Sequence, residues 1–439
     1  MKKFIKLFLV SLFFSVNFYA QKELTISEAV ETTLENNLDI KISKNIEKIS
    51  KNNSSVLNNN YLPSVRLGSE INKITQNIEI ETPNGISGSL NDTKTDNNSA
   101  TLSLNYDLID ASGRKYNYRK SKELYSKTKL EVRDIIENTI LQLYSIYFEV
   151  SRLMEQYEFI LKSLDISKKR LERKLLEFEY GQSNNLEVLN AEVDMNNDSI
   201  RLLNTMKKLV NAKSDLNLIM NYESLNNYST NTDFEFLDNN EISKLYLNGI
   251  KNNTTFLIQE KEVTLSKINQ KITRFSYLPT LGLIGSYGWN ESINDNPYAF
   301  YNKSISDGFS AGINLRWDIF RGGKKIIANK NSKLSRANSE ILKESSILKL
   351  KNELKNAYDT HFNNLYILKV QKKNVETNED NFERNLEKYN IGGISSIEFR
   401  RAHLNLLNAN LEYNSAKYQT KLSEAFFLKI CGEILNYDY

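Results

Sequence analysis

The chain has little of what usually punctuates a globular protein. Its 439 residues contain 4 Pro, 16 Gly, 1 Cys and 2 His. The single Cys431 excludes an internal disulfide, and it lies too far from the N-terminus to be a lipid-anchor cysteine. His361 and His403 alone cannot supply a transition-metal cluster, so no metal and no cofactor are expected. Neither a nucleophile elbow nor a Gly-rich phosphate loop is present, and the expectation is that the protein is not an enzyme. After residue 20 no run is apolar enough to span a bilayer as a helix, so any membrane insertion must use strands. What is there fits a mostly helical chain with a large wetted surface: 26% charged and 40% hydrophobic residues. The net charge of +4 is mild, and Lys and Arg are interleaved with Asp and Glu. That pattern reads as solvated helix faces and excludes a nucleic-acid partner.

Residues 1–20 have the form of a secretory signal. Lys2, Lys3 and Lys6 precede the apolar stretch Leu7–Phe18, and cleavage is expected after Ala20. An uncleaved anchor is the other reading of this segment, although the stretch falls short of the ~20 residues a spanning helix needs.

The remainder is two copies of one unit. Tyr61-Leu62-Pro63 recurs as Tyr277-Leu278-Pro279 and Asn36-Asn37 as Asn252-Asn253, both 216 residues on. Tyr106-Asp107-Leu108 is answered by Trp317-Asp318-Ile319, and Gly181, Glu187 and Ala191 by Gly392, Glu398 and Ala402, all 211 residues on. So long a period is a duplicated half-protein, not a solenoid module of about 20–50 residues.

Each copy changes hydrophobic period along its length. Arg114–Tyr180 and Lys324–Ile391 hold no Gly and no Pro. In the first, Ile136, Ile140, Leu143, Tyr147, Val150, Met154, Tyr157, Leu161 and Leu164 recur at coiled-coil spacing. Each stretch predicts one helix of about 100 Å. Shorter helices are expected over Thr25–Asn58, Leu186–Met220, Glu241–Arg274 and Ile397–Ile430, with Ser27 near Glu31 as one capping candidate. Two short helices laid end to end match one long helix in length. Strands alternate at period two: Ala100, Leu102, Leu104, Tyr106 and Leu108; Leu281, Leu283, Tyr287 and Trp289; Ala311, Ile313, Leu315, Trp317 and Ile319; and a weaker one around Val65, Leu67 and Ile71. Pro63 and Pro279 stand where helix gives way to strand. Glu81–Asn98 and Glu291–Asp307 read as polar loops joining the strands of each pair.

Alternating segments of about ten residues with aromatics near their ends fit lipid-facing barrel strands. A half-buried sheet in a soluble domain would show the same alternation. Tyr106, Tyr287, Trp289 and Trp317 are candidates for a membrane-interface belt, or else packed core aromatics. Four strands cannot close a barrel, and open edges are not tolerated in lipid. Two copies would give eight strands, about the number whose interior side chains fill. Three would give twelve around a wet lumen, making a homotrimer the smallest assembly with a channel.

In these features the chain resembles the TolC-type outer-membrane efflux protein family, twice over. The marks are Leu24-Thr25-Ile26-Ser27-Glu28-Ala29 with Asn36-Asn37, Tyr61-Leu62-Pro63-Ser64, the turns Asp107–Arg114 and Asp318–Lys324, and the tips Phe178–Ala191 and Tyr389–Ala402. The resemblance implies a mainly α fold with a membrane β-barrel, in which duplicated helix–strand–strand–long-helix units build a trimeric channel-tunnel. It implies a signal at 1–20, then a periplasmic helix (21–60), an outer-membrane strand pair (61–110) and a long helix with its hairpin tip (111–220). A linker (221–240) leads to the second copy (241–276, 277–321 and 322–431) and a C-terminal tail (432–439). The implied role is an exit duct in the outer membrane and periplasm, working with a periplasmic adaptor and an inner-membrane pump of RND or ABC type, and contacting outer-membrane lipid. Gly181, Gly392 and Gly393 then mark the hairpin tips. Glu187 and Tyr389 match a tyrosine–acid link that holds the periplasmic entrance shut. Glu398 matches the first position of an acidic ring, beside which Arg401 stands where a second acid is common. Plain readings stay open: solvated helix-start acids, simple turn glycines, incidental histidines. A periplasmic coiled-coil adaptor that never enters the membrane would explain the long helices but not the alternating strands.

Overall fold

The computed structural model describes residues 22–437 apart from 82, 86, 112, 224–227 and 298; the signal and its cleavage site lie outside the described residues. In chain order the elements are β1 (Lys22–Leu24), α1 (Ile26–Asn36), α2 (Leu38–Asn53), β2 (Ser64–Glu81), β3 (Ser87–Ile109), α3 (Arg114–Glu179) and α4 (Asn185–Met220). The second copy adds β4 (Tyr228–Thr230), α5 (Asn239–Asn248), α6 (Thr254–Phe275), β5 (Thr280–Asn294), β6 (Lys303–Arg316), α7 (Lys324–Asn390) and α8 (Ser396–Cys431). The absence of Gly and Pro delivers α3 and α7 as single helices of 66 and 67 residues. Among the described residues no helix is long and apolar enough to cross a membrane. Two compact units result. The first holds residues 22–42, 134–253 and 349–437, the second 43–133 and 254–348.

The first unit carries a packed core. Ile140, Leu143, Tyr147 and Val150 of α3, four of the predicted coiled-coil positions, are buried against Ala212 and Leu216 of α4 and Ala425 and Leu428 of α8. Leu161, predicted in the same seam, is exposed, because the face turns as the helix proceeds. The buried Tyr147 hydroxyl donates to the Leu24 carbonyl (2.7 Å) and accepts from the Asn231 amide (3.0 Å), so its polar tip is satisfied.

Both shorter N-terminal helices are broken where the sequence predicts continuity, and the repeated Asn pairs are the reason. Asn37 separates α1 from α2. Its Nδ2 donates to the Ile219 carbonyl at the end of α4 (2.8 Å), while its Oδ1 accepts from Ile40 N (3.1 Å). Asn253 repeats the bracket before α6, donating to the Ile430 carbonyl at the end of α8 (2.9 Å). Each Asn thus satisfies one carbonyl that its partner helix leaves orphaned. The cap of α1 is Thr25, which accepts from Glu28 N (3.2 Å), and not Ser27. The expected linker 221–240 carries β4, which pairs in parallel with β1.

The second unit holds a four-stranded antiparallel sheet in the order β2-β3-β5-β6. Its register puts Leu67 and Tyr287 opposite Leu102, Val65 opposite Leu104, Phe309 opposite Tyr287 and Ile313 opposite Leu283, so one face is apolar over this stretch and gives way to Ser69, Asn98, Glu291 and Asp307 beyond it. The other face carries Arg66, Thr101, Ser103, Asn105, Ser286, Ser310, Asn314 and Arg316. The strands run longer than predicted. Ser87–Asn98, read as loop, is strand, because β2 supplies its ladder partners and a bulge between Gln76 and Ile78 takes up the irregularity, with Asp92 left-handed at φ 59°. β5 and β6 likewise reach into the predicted loop, to Asn294 and from Lys303. Pro63 and Pro279 stand immediately before β2 and β5. β6 stops at Arg316, which leaves Trp317 and Ile319 outside the ladder; Trp317 Nε1 donates to the Tyr277 carbonyl (3.0 Å). The strand-to-helix turns repeat as well: Arg114 donates from its guanidinium to the Asp107 carbonyl, and Lys325 Nζ to the Asp318 carbonyl (2.8 Å).

Candidate functional site

The two helix hairpins of the first unit reverse on glycine. Gly181 and Gly392 adopt φ of 70° and 75°, the left-handed conformation in which glycine carries no Cβ penalty. Gly393, grouped with them from sequence, is not left-handed; its amide donates to the Lys388 carbonyl (2.7 Å). Each returning helix then starts on a side-chain cap. Asn184 Oδ1 accepts from Glu187 N (3.0 Å), and Ser395 Oγ accepts from Glu398 N (3.3 Å). Glu398 also accepts from Ser395 N and Oγ (both 2.9 Å), completing a capping box. These bonds hold the exposed Glu398 carboxyl below its usual range.

The predicted tyrosine–acid pair is not made within one copy. Lys174 of α3 stands between its members: its ammonium meets Glu187 at 2.6 Å and Glu177 at 2.7 Å, and lies 6.0 Å from the Tyr389 ring centroid. A largely buried ammonium needs carboxylates, and Lys174 recruits both. Burial alone would lower its pKa; the bonds to Glu177 and Glu187 outweigh that and raise it. Tyr389 is held by its ring, stacked on Phe399 of α8 (4.5 Å, 9° between planes) with the Arg173 guanidinium 4.6 Å from the centroid. Its buried hydroxyl has no hydrogen-bond partner among the described residues. Arg401 is exposed on α8, and among the described residues no ion pair joins it to Glu398.

The sequence reading missed a buried polar cluster deeper along the same hairpins. Arg400 of α8 grips Asp198 of α4 with two nitrogens, 2.7 Å to Oδ2 and 2.9 Å to Oδ1. Ser167 of α3 donates to the same Asp198 Oδ2 (2.6 Å) and accepts from Arg400 (3.0 Å). Arg170 of α3 pairs with Asp194 at 2.6 Å, and His403 bridges Arg400 (3.3 Å) to Ser163 (3.0 Å). Asp198 is fully buried, and Ser163, Ser167, Arg170, Arg400 and His403 are buried with it. Burial would raise the Asp198 carboxyl, but the bonds from Arg400 and Ser167 bring it below the usual range. Burial pushes His403 down to about 4, with the Arg400 charge adding to the effect. The clue was present in the spacing. Ser163, Ser167 and Arg170 recur four and three apart, and Asp194 and Asp198 stand four apart, along faces that a solvated helix would not need to organise.

In the second unit Tyr106 lies against Arg114 (5.1 Å), the Tyr287 hydroxyl donates to Asp307 (2.7 Å), and Trp289 stands opposite Ala100. Among the described residues no group of three or more His, Cys, Asp or Glu could hold a metal.

A sheet apolar on one exposed face, together with paired helix hairpins clamped by ion pairs, defines a membrane-inserting helical-hairpin protein. The chain belongs to the outer membrane efflux protein family, whose pattern matches residues 29–221 and 246–433, one block per copy. It is similar to "Outer membrane protein TolC" of Vibrio cholerae serotype O1, 21% identical over 305 residues, covering 69% of each chain. Among solved structures it is similar to the Campylobacter jejuni CmeC outer membrane channel, with a TM-score of 0.77 and 16% identity over 93% of this chain and 86% of that one. It is also similar to the outer membrane protein VceC of Vibrio cholerae, with a TM-score of 0.73 and 12% identity over 93% and 96% of the two chains. The protein is thus an outer-membrane efflux protein whose helical part extends into the periplasm, and the reading as an adaptor that never enters the membrane falls.

Proposed function

We propose that three copies close one twelve-stranded barrel and together form the exit duct of a tripartite efflux or type I secretion system. The observation that carries this reading is the sheet β2-β3-β5-β6. It is apolar on one face and polar on the other, and its outer strands β2 and β6 have no ladder partner on their free edges among the described residues. In lipid such edges would leave backbone groups unsatisfied, so further copies must pair with them. Two copies would make an interior filled by side chains; three leave a lumen wet enough for Thr101, Ser103, Asn105 and Asn314. Tyr106 and Trp317 toward one end of the apolar face, with Tyr287 and Trp289 toward the other, suit the two water–lipid interfaces.

The duct does no chemistry and needs no cofactor. Energy comes from an inner-membrane pump, reached through a periplasmic adaptor that engages the hairpin tips at Gly181 and Gly392. The entrance is governed by Glu187, Tyr389, Glu398 and Arg401, with Lys174 as the cation that ties Glu187 to the Tyr389 corner. Three Glu398 carboxylates around one axis would repel each other and attract cations, and three Arg401 beside them would offset that field.

The test is the mass and shape of the detergent-purified mature protein, by light scattering and negative-stain imaging. Three chain masses in a three-fold particle are expected. A monodisperse monomer or dimer would overturn the shared barrel.

A further inference from the structure

Charges that alternate along the sequence separate in the fold of the second unit. On α3, Lys115, Arg119, Lys122 and Lys129 are exposed and recur four, three and seven apart, so they form one stripe. On α2, Lys44, Lys48 and Lys51 are exposed at the same kind of spacing, as are Lys267 and Lys271 on α6. The carboxylates of these helices are committed elsewhere. Glu123 of α3 pairs with Lys261 of α6 (2.9 Å), Glu262 of α6 pairs with Lys127 of α3, and Glu47 of α2 accepts from the Tyr125 hydroxyl of α3 (3.4 Å). These contacts join the three helices side by side. Among the described residues no ion pair joins a carboxylate to the four stripe cations of α3. Lys122 and Lys129 lie instead over the rings of Tyr118 (4.5 Å) and Tyr125 (5.6 Å).

Helix and strand geometry show which face of the helix layer is cationic. On α3, Tyr125 meets α2, while Glu123 and Lys127 meet α6 on the opposite side of the helix. The stripe lies on the face between, about a quarter-turn from either. Asn117, Leu124 and Thr128 occupy the face across from it. α2 and α6 run opposite to α3, which brings their stripes to the same side of the layer. In β3, the Ser99 carbonyl accepts from Ser69 of β2 (3.1 Å), while Lys94 donates its amide to the Asp295 carboxylate (2.7 Å) and accepts from the Asp295 amide (3.2 Å), just past β5. Odd-numbered residues thus turn their backbone groups to β2. Even-numbered ones, whose side chains make the apolar face, turn theirs to β5. For an L-chain running toward α3, this sets β2 on the right and β5 on the left when the sheet is seen from its apolar side. The helices keep that order, and the right-handed α3 then turns its stripe toward the viewer. The stripes share the side of the apolar sheet face, which is the outer wall of the duct and not its lumen.

We infer that this cationic collar, next to the barrel on the outer wall, docks the periplasmic wall polymer, peptidoglycan, through the carboxylates of its peptide stems. The inference rests on the barrel reading above, which makes the apolar face the outer one. Height and chemistry choose the occupant. Lys115 to Lys129 covers about 21 Å along α3. A lipid headgroup layer is only about 5–8 Å deep, and its field fades within a Debye length of about 8 Å. Headgroups would therefore reach the first turns and leave the rest of the stripe uncovered. A carboxylate-bearing meshwork through which the duct passes covers the whole height. All the stripe cations except Arg119 are lysines, strongly hydrated point charges that suit many loose contacts better than one forked phosphate site. Each contact is weak and screened by salt, and the affinity comes from their number around the ring.

The experiment is co-sedimentation of the detergent-purified mature protein, first weighed by light scattering, with sacculi freed of bound protein. At about 0.02 M NaCl the native protein is expected to pellet with the sacculi, and at about 0.5 M to stay in solution. Lys115→Gln, Arg119→Gln, Lys122→Gln and Lys129→Gln together are expected to weaken binding about tenfold or more. Lys207→Gln, Lys208→Gln, Lys369→Gln and Lys372→Gln remove the same charge from exposed positions of the first unit and are expected to change binding less than about twofold. Sacculi whose carboxylates are capped as amides should no longer hold the native protein, and this arm needs no variant to fold. Equal binding by the two variants, or undiminished binding to amidated sacculi, would overturn the inference. Native protein that ignores sacculi but binds vesicles of phosphatidylglycerol with phosphatidylethanolamine would overturn it too, and give the collar to lipid headgroups. A particle that is not three chain masses would sink the barrel reading instead, and this is read before any sacculus is added.

Discussion

The first unit and the sheet of the second treat the same kind of side chain in opposite ways. Ile140, Leu143, Leu216 and Leu428 are fully buried within one chain. Leu67, Phe309 and Ile313, on one face of the sheet, are 73%, 75% and 68% exposed. Both sets are regular in sequence, one at helical spacing and one at period two. The helices find their apolar partner in the same chain and add polar groups that are satisfied there. Among the described residues nothing covers the apolar face of the sheet, and so broad a patch rimmed by polar residues calls for another solvent or another surface. In an outer-membrane efflux protein that solvent is lipid. Alternation therefore tells which residues share a face, and only the absence of a covering layer tells what the face is for.

The sharpest way to break this comparison is Arg400→Ala. It leaves the fully buried Asp198 without its counter-ion, and the expected loss is about 3–5 kcal/mol. The measure is urea unfolding followed by the helical signal in circular dichroism. A loss below about 1 kcal/mol would mean that water reaches the cluster and that the helical unit is not dry there. Next in size is Val65→Arg on the exposed sheet face, opposite Leu104 and between the levels of Tyr106 and Tyr287. It removes nothing buried, so the helical unfolding midpoint should hold, while insertion into a bilayer loses about 2–4 kcal/mol near its midplane. The yield of assembled protein in the membrane fraction reads that loss. A fall in both quantities, or in neither, would erase the distinction between the two faces.

Acid acts on the helical unit first, because His361 and His403 are both buried there. Burial holds His361 and His403 down at about 4 against an ordinary 6.5. The unfolded chain therefore takes up protons between those values that the folded chain refuses, and stability falls as pH drops through that window. Asp198 adds to the loss lower still: its carboxyl is depressed in the fold, so its contribution is present above the unfolded value and disappears as pH falls through the folded one. Each histidine is worth up to about 3 kcal/mol. The expected result is a urea midpoint that declines steadily from pH 6.5 to pH 4, and His403→Gln should flatten part of that slope. A midpoint independent of pH over this range would place both imidazoles in contact with water.

Much of the architecture could be read from the chain because its strongest signals are absences. Without Gly or Pro, α3 and α7 had to run unbroken, and Pro63, Pro279, Gly181 and Gly392 then stood out as punctuation. The breaks at Asn37 and Asn253 were hidden because asparagine is only mildly unfavourable in a helix; what breaks the helix is a tertiary bond to the end of α4 or α8. The polar half of β3 was hidden because Asn, Ser and Thr read as loop until β2 supplies a ladder. At the site, Glu187 could be found from its place after Gly181, but its partner Lys174 could not, since the pairing is made across the hairpin. Arg400 and Arg401 look alike in sequence. One is sealed beneath three helices and the other is in water, and only packing separates them.

The smallest expected effect separates the two acids that the repeat makes equivalent. Glu398 is bonded back to Ser395, its carboxylate accepting from the amide and hydroxyl of the residue whose side chain caps the helix. Glu187 follows a similar cap, Asn184, but its carboxylate meets Lys174 (2.6 Å) and accepts from the Ser183 hydroxyl (3.3 Å), not from the capping residue. Either cap is worth about 1 kcal/mol, so Ser395→Ala and Asn184→Ala should cost alike. The double-mutant cycles should not. Ser395→Ala combined with Glu398→Ala removes one reciprocal device, and the pair should cost less than the sum of the single changes by about 0.5 kcal/mol or more. Asn184→Ala combined with Glu187→Ala removes two separate contacts and should add to within about 0.3–0.5 kcal/mol. Urea unfolding of the variants measures both cycles. Equal coupling in the two would mean that Glu187 serves its own cap in solution, and that Lys174 is free to leave it for the Tyr389 corner.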